Sequence, residues 1–449
     1  MRALVFITTP GSADLSDNRG CSMAESLKDK VAIIGMGCTP FGELFDKDVD
    51  DLIADAVFEA VEDAGIDLKD IQAVWAGTLF SGVTGASVSN PLQLQYVPVT
   101  RVENACGTGI ETIRNAVFAL ASKAYDLVLA VGFEKMKDFG FPGLHPTRSL
   151  SDKQHPIYVA GGTGPGRYAL AATRYFERYG LTAEEGKRTL AKISVKSHFC
   201  GARNPRAHLR REVSLEEVLK APMIAWPLGL YDCCGVTDGA SAAILCRTED
   251  VKTFAKKHRD DYVTIKGVGI AIGPGWGKNK EDYDFTSWPE TEYAARQAYR
   301  IAGIKSPRKE LDIAEIHDCF SIAELIASES LGFCEKGAAR EELIDNGAFI
   351  APQFREEVMK KWGASEKEIR NAPDPEDILP INLSGGLKSF GHPVGASGGR
   401  EVLEIYKQIQ GRAEDPSRQL KNVRLGLVHN QGGHPGRFQA GVLIIGTPG

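Results

Sequence analysis

"DLIADAVFEAVEDAGIDLKDIQAVWAG", residues 51–77, decides the fold because the chain carries its pattern twice. Apolar residues recur at helical spacing until "AGI", where a glycine stops the helix, and "DIQAV" then reads as a strand. "TEYAARQAYRIAGIKSPRKELDIAEIHDC", residues 291–319, repeats that order, with "DIAEI" as the strand. Working outward, each copy follows an apolar, β-branched run that ends in glycines: "DKVAIIGMGCTPFG" (29–42) and "DYVTIKGVGIAIGPGWG" (261–277). Both read as buried strands. A glycine turn, a helix and a strand come next in "CGTGIETIRNAVFALASKAYDLVLAVG" (106–132). "GASGGREVLEIYKQIQ" (395–410) with "NVRLGLVHNQGG" (422–433) gives the same order. Apolar strands "ASAAILCRT" (240–248) and "AGVLIIGT" (440–447) close the two halves. Alternating strands and helices predict an α/β fold of parallel sheets with covering helices, built as two similar halves packed in layers.

The repeat sets the expected boundaries. Residues 1–27 read as a leader, expected to be disordered, because Met23 opens a stretch that looks like a natural start. Its apolar run, Leu4 to Ile7, is too short for a signal-peptide core. The first half spans 28–250 and the second 260–449. Residues ~138–232 have no counterpart in the second half and read as an inserted loop domain. They carry a basic series: Lys187, Arg188, Lys192, Lys196, Arg203, Arg206, Arg210 and Arg211. A solvated helix face is the plain reading, and a surface for a phosphorylated ligand the functional one. A second insertion, ~338–378, reads as a helix plus linker.

Composition narrows the function. Lys and Arg number 53 against 59 Asp and Glu, a net charge of −6, which argues against a whole-chain nucleic-acid binder. No apolar run approaches the ~18 residues of a membrane span. Nine cysteines, an odd number with no CxxC pair, signal neither a disulfide framework nor a zinc ribbon. Reduced thiols in a cytoplasmic protein, with no metal site, are the expectation.

Ligands of α/β sheets gather beyond the carboxyl ends of strands, and four polar clusters fall there. In "NACGTG" (104–109), Cys106 sits where a helix begins. The macrodipole favours its thiolate, so its pKa is expected to fall toward ~7. A small buried hydrophobe is the plainer reading. In "SFGHPVGASGG" (389–399), Gly391 permits an unusual backbone angle and Pro393 stiffens the exit from His392, which fixes the ring as a base requires. In "EIHDCF" (315–320), His317 and Cys319 alternate on one face, the first able to donate to a carbonyl and the second to carry a proton. In "VHNQGGHPG" (428–436), Gly432 and Gly433 follow His429 and Asn430 and can bring backbone N–H groups to an oxyanion. The vicinal pair Cys233 and Cys234 reads as packing.

Together "NACGTG", "IHDCFSIAELIASESLGFCEKG", "SGGLKSFGHPVGASGG" and "HNQGG", with "CCGVTDGASAAIL" in support, resemble the thiolase superfamily, and most closely thiolases of the sterol-carrier-protein type. The resemblance implies an α/β thiolase fold, with two duplicated halves in a five-layered αβαβα sandwich and an inserted loop domain. It implies that Cys106 is acylated, that His392 is its base and that His317 serves the thioester oxyanion. Cys319 is then the acid/base thiol, and the amides of Cys106 and Gly432 or Gly433 form a second oxyanion hole. Arg203, Arg206, Ser384, Gly385, His429 and Asn430 are the candidate contacts for acyl-CoA. The implied reaction is CoA-dependent, degradative thiolysis of a 3-oxoacyl-CoA. Coenzyme A is a co-substrate and no cofactor is bound permanently. A condensing enzyme, a retro-aldolase of the same fold and a non-catalytic scaffold are the alternatives. The implied assembly is a homodimer or a dimer of dimers, with a small zinc-ribbon/OB-fold subunit as a possible partner. Two departures stand out: His429, Asn430 and Gln431 replace the common C-terminal Cys-x-Gly, and the 338–378 insertion is long.

Overall fold

The computed structural model describes residues 27–139, 163–273, 283–374 and 377–449. The leader apart from Leu27 therefore lies outside the described residues, as do 140–162 of the inserted segment. Leu27 itself is buried in the core.

The strands of the main sheet are β1 (Val31–Cys38), β2 (Ala73–Gly77), β3 (Val99–Val102), β4 (Leu127–Glu134), β5 (Gly239–Arg247), β6 (Val263–Ile272), β7 (Ile313–Ile316), β8 (Leu425–His434) and β9 (Arg437–Gly446). The helices used below are α1 (Val49–Ala64), α2 (Thr108–Ala121), α3 (Gly164–Arg178), α4 (Ala183–Ala202), α5 (Pro289–Ala302), α6 (Ser321–Ser330), α7 (Pro352–Lys361) and α8 (Ser397–Ile409).

The duplicated "AGI" does what its glycine requires. Gly65 ends α1 at φ 68° and Gly303 ends α5 at φ 83°, both left-handed positions that suit a residue without a side chain. Every residue of β1 and of β4 is buried, because helices cover both faces of their sheet. α1 packs on the outer face of β1, β4 and β5, and α5 packs on β6 and β9. Between the sheets lie α2 and α8, which touch each other and strands of both halves. The result is five layers: α1, the first sheet, α2 with α8, the second sheet, and α5. The two middle helices approach closely at glycines. A Cβ on Gly109 would fall 2.6 Å from the Gly398 nitrogen.

The strand order is β3-β2-β4-β5-β1-β6-β9-β8-β7, and the halves join where Ala32 and Ile33 of β1 face Thr264 and Val263 of β6. Contrary to the expected parallel sheets, these are mixed. β2 runs parallel to β3 and β4, and β8 to β7, but β5, β1, β6 and β9 pair antiparallel with their neighbours. The last strand of the second half explains why. It returns through a tight Pro435–Gly436 turn, and a hairpin can only enter antiparallel. Among the described residues the second half has no full match for β3, and a bridge from Ala314 to Ile381 marks its place.

The inserted segment corrects one expectation. α4 is no solvated face, since residues Leu190, Ile193, Val195 and Phe199 along it are buried. Its basic residues turn inward to acids. Lys187 pairs with Asp232 at 2.5 Å, Lys192 with Asp345 at 2.5 Å, and buried Lys196 with Glu324 at 2.6 Å. Asp345 and Glu324 belong to the second half, so α4 clamps the insertion onto it. α7, in the 338–378 insertion, packs on the same helix, with Phe354 5.3 Å from Phe199. Among the described residues no helix is long and apolar enough to cross a membrane.

Candidate active site

Cys106 stands on a tight elbow between β3 and α2. Ala105 takes φ 48°, a left-handed position that costs a residue with a side chain about 1–2 kcal/mol. Thr108 holds the turn. Its hydroxyl donates to the Ala105 carbonyl at 2.6 Å and accepts from the Asn104 N–H at 2.9 Å. β8 passes directly over this elbow, and a Cβ on Gly432 would fall 2.4 Å from the Asn104 oxygen and 2.6 Å from the Cys106 nitrogen. Only glycine fits there. The next residue, Gly433 at φ 94°, turns its N–H toward the Cys106 sulfur, as does the N–H of Cys106 itself. Of the two glycines expected at this point, Gly433 therefore supplies the amide and Gly432 the room.

The two histidines come from the second half. Gly391 does take a left-handed angle, φ 119°. His392 Nδ1 lies 2.6 Å from Ser397 Oγ, which donates its one proton to the Pro393 carbonyl at 2.9 Å. Ser397 must then accept from Nδ1–H, so the lone pair sits on Nε2, which is buried and has no hydrogen-bond partner. His317 is arranged the other way. Asn430 Nδ2 donates to its Nδ1 at 3.2 Å, which leaves Nε2 with the proton. One imidazole is thus prepared to accept and the other to donate. Their rings meet edge to face, with centroids 5.1 Å apart. A ligating atom from each of Cys106, His317 and His392 lies within 4.8 Å of the others. The same sulfur and two nitrogens are a donor set that a zinc-like ion takes, although nothing in the spacing announces one.

The electrostatics depart from expectation. Burial, and then the Glu134 carboxylate, push the Cys106 thiol up to about 12 rather than down, and the two aimed amides offset only part of this. Burial lowers His392 to about 4 and holds His317 well below the usual histidine range, helped by His392. At neutral pH the resting pair is a thiol beside a neutral imidazole. Glu134 stays where it is because it accepts six bonds: from Thr78 Oγ1, the N–H groups of Leu79, Phe80, Ser81 and Gly395, and Ser81 Oγ.

Cys319 is buried at the start of α6, and burial raises its thiol well above the usual range. It lies within electrostatic reach of Cys106 and of Cys234, whose N–H donates to the Cys319 carbonyl at 2.9 Å. The Tyr168 ring packs 4.5 Å from that of Phe320, the residue after Cys319. Between His317 and Cys319, Asp318 faces inward and accepts from Leu387 N–H at 2.5 Å and Lys388 Nζ at 2.6 Å. Lys388 continues to Glu324 at 3.8 Å, and Glu324 to Lys196. This buried ionic chain fixes the "HDC" backbone against the loop that carries His392.

Several expected coenzyme A contacts are engaged within the chain itself. Arg206 is bound to Glu59 at 2.7 Å and Glu414 at 2.5 Å, and Arg203 to Glu212 at 2.6 Å while stacking 3.5 Å over Phe199. Their charge is satisfied internally. Ser384 is fully buried, donating to Glu315 and accepting from Arg400, both at 2.5 Å, and Gly385 packs on Gly201 of α4. His429 is buried against Thr291 and lowered by burial to about 3. Asn430 does reach the site, through His317. Missed from the residues alone were Ser397, Glu134 and Cys234. The vicinal cysteine pair was the one visible signal among them.

Two halves donating to one cluster is the pattern to compare with known proteins. The thiolase N-terminal domain family matches residues 31–249, and the thiolase C-terminal domain-like family matches 278–352 and 362–446. The chain belongs to the thiolase family. Its curated relatives include an acetyl-CoA acetyltransferase of Methanocaldococcus jannaschii, 38% identical over 416 residues, covering 90% of this chain and 96% of the relative. The benzoylsuccinyl-CoA thiolase subunit BbsB of Thauera aromatica is 32% identical over 411 residues, covering 91% of this chain and 96% of that protein. Among solved structures, the Ltp2-ChsH2(DUF35) aldolase superposes with a TM-score of 0.72 at 22% identity, covering 94% of this chain and 99% of that one. Human mitochondrial 3-ketoacyl-CoA thiolase gives 0.63 at 16% identity, covering 94% of this chain and 100% of that one. These two likenesses concern the fold. This thiolase is an acyltransferase enzyme, and its family uses coenzyme A as a substrate.

Proposed function

We propose that this thiolase cleaves a 3-oxoacyl-CoA through an acyl-Cys106 intermediate, in the degradative direction. The observation that carries this is the meeting of Cys106, His317 and His392 within 4.8 Å, with one imidazole able to accept and one to donate. His392 Nε2 takes the Cys106 proton as sulfur attacks the 3-oxo carbon. The amides of Cys106 and Gly433 hold the oxyanion that forms, each such donor being worth about 3–4 kcal/mol. Collapse breaks the C2–C3 bond and leaves a CoA-ester enolate, whose oxygen His317 Nε2–H supports. Cys319 protonates the enolate carbon and, as thiolate, takes the proton of an incoming CoA thiol. That sulfur attacks acyl-Cys106, and the departing Cys106 sulfur recovers its proton from His392. Atoms and protons balance over the cycle.

The test is intact-protein mass spectrometry after incubation with acetoacetyl-CoA and longer 3-oxoacyl-CoAs. The expected result is an acyl adduct on the Cys106 peptide, absent from Cys106→Ser, which keeps its fold and loses about a thousandfold or more in turnover. Turnover without an adduct points to aldol-type cleavage instead and overturns the reading.

For the assembly, the reading is a homodimer, supported by β3, an edge strand only partly covered in the single chain. A small second subunit is supported by the word "subunit" in the name of the Thauera aromatica relative. Light scattering of the purified chain, with and without co-expressed partner, tests both. Neighbouring thiols at one site suit a reducing compartment such as the cytoplasm.

A further inference from the structure

One lone pair at the site is left over in the resting protein. His392 is 5% exposed, and its Nε2 has no hydrogen-bond partner. The far nitrogen is anchored: Nδ1–H donates to Ser397 Oγ at 2.6 Å, and Ser397 donates in turn to the Pro393 carbonyl at 2.9 Å. Metal-binding histidines are usually held in this way, by a hydrogen bond on the far nitrogen that fixes ring and tautomer. Asn430 supplies a second buried orphan. Its Oδ1 has no partner, while its Nδ2 lies 3.2 Å from His317 Nδ1. Turning that amide over exchanges two atoms of nearly equal size. Oδ1 then accepts from Nδ1–H, and the lone pair of His317 passes to Nε2. His317 can thus offer either a proton or a lone pair without moving its ring.

One ligand atom from each of Cys106, His317 and His392 lies within 4.8 Å of the other two. Around a zinc ion, with sulfur at about 2.3 Å and nitrogens at about 2.0–2.1 Å, such atoms stand about 3.3–3.6 Å apart, so a drawing-together of about 1 Å completes the set. Three protein ligands leave the fourth tetrahedral position for water. Cys106 keeps part of its surface open, which gives an ion a way in. Hard cations are a poor match, because Mg2+ and Ca2+ take oxygen ligands. Glu134 is already engaged by six donors, and Asp318 by Leu387 N–H and Lys388 Nζ. The three ligands come from separate segments, so no sequence spacing marks the site.

We propose that Cys106, His317 and His392 form a binding site for one soft divalent cation of the zinc type, which closes the catalytic centre reversibly. The Cys106 sulfur coordinates as thiolate and its proton leaves to solvent, so each ion bound releases one proton. The ion takes the nucleophile and the lone pair of its base together, and the site cannot bind metal and react at once. The inference goes beyond the proposed reaction and does not depend on it.

Cobalt(II) is the probe, titrated into the whole chain in anaerobic buffer. One equivalent should give the visible bands of tetrahedral cobalt with a thiolate-to-metal charge-transfer band. Zn2+ should bleach both, since zinc outcompetes cobalt at such ligands. In the unaltered chain, cobalt should protect Cys106 from iodoacetamide, read by peptide mass, and a chelator should restore labelling. Mg2+ should give no protection. Cys106→Ser should lose the charge-transfer band, whereas Cys319→Ala and Cys233→Ser/Cys234→Ser should keep it. Ser397→Ala should weaken binding about ten- to a hundredfold. A missing band at one equivalent, a band that survives Cys106→Ser, or labelling of Cys106 unaffected by cobalt overturns the proposal. None of these readouts involves substrate. A failure to find acyl-Cys106 would therefore sink the thiolysis reading and leave the metal site standing.

Discussion

A thiol held at about 12 and an imidazole held at about 4 do not form an ion pair at neutral pH. The sign is plain: the acid is made weaker and so is the base, so the proton stays on sulfur across the whole interval between them. Iodoacetamide alkylation of Cys106 should therefore rise about tenfold per pH unit from about 7 to 10. A plateau below about pH 8 would show a preformed thiolate instead. Cys106, His317, Cys319 and His392 could be singled out from sequence because reactive residue types stood beside glycine turns at strand ends, and the structure brings Cys106, His317 and His392 within 4.8 Å of one another. The direction of the thiol shift could not. It depends first on burial in the folded chain, and then on Glu134, which lies at the end of another strand and is recognisable only by the six donors around it. Ser397 was silent for a similar reason, since a serine entering a helix does not mark a site.

At the scale of elements, the loop bearing His392 and the strand end bearing His317 and Cys319 are tied by Lys388 and Asp318, both fully buried. Removing one partner leaves a charge without compensation. Lys388→Met should destabilise the fold by about 3–5 kcal/mol in urea unfolding, far more than a surface lysine. Little or no change would mean that Asp318 is content with its backbone donors. The strand and helix order was legible because a glycine-stopped helix followed by a short strand occurs twice. The antiparallel strands were not, because alternation of strand and helix is silent about how the last strand of each half returns. Nor was the inward turn of the α4 lysines. A basic run looks the same whether its acids are in solvent or on another element, as with Lys192 and Asp345, 153 residues apart.

For the whole molecule, α2 and α8 each touch strands of both sheets, and one apolar cluster runs from Val31 in β1 to Ile445 in β9. That cluster is shared by the two halves, while a second one, under α1, belongs to the first half alone. Urea unfolding followed through Trp75 of the first half and Trp288 of the second, each kept as the sole tryptophan, should give coincident transitions. Separate midpoints would show that the halves stand alone. The duplication was visible from end to end of the chain, whereas the shared middle layer was not, because helices facing two sheets carry no sign of it beyond apolar and glycine content. One consequence reaches further. The sulfur at 106 is contributed by one half, while its neighbours His317, His392 and Gly433 all come from the other. Severing the polypeptide near residue 255 should yield two inert fragments, and turnover recovered on mixing them would report the docking of one upon the other, a complementation assay inherent in the way the gene was doubled.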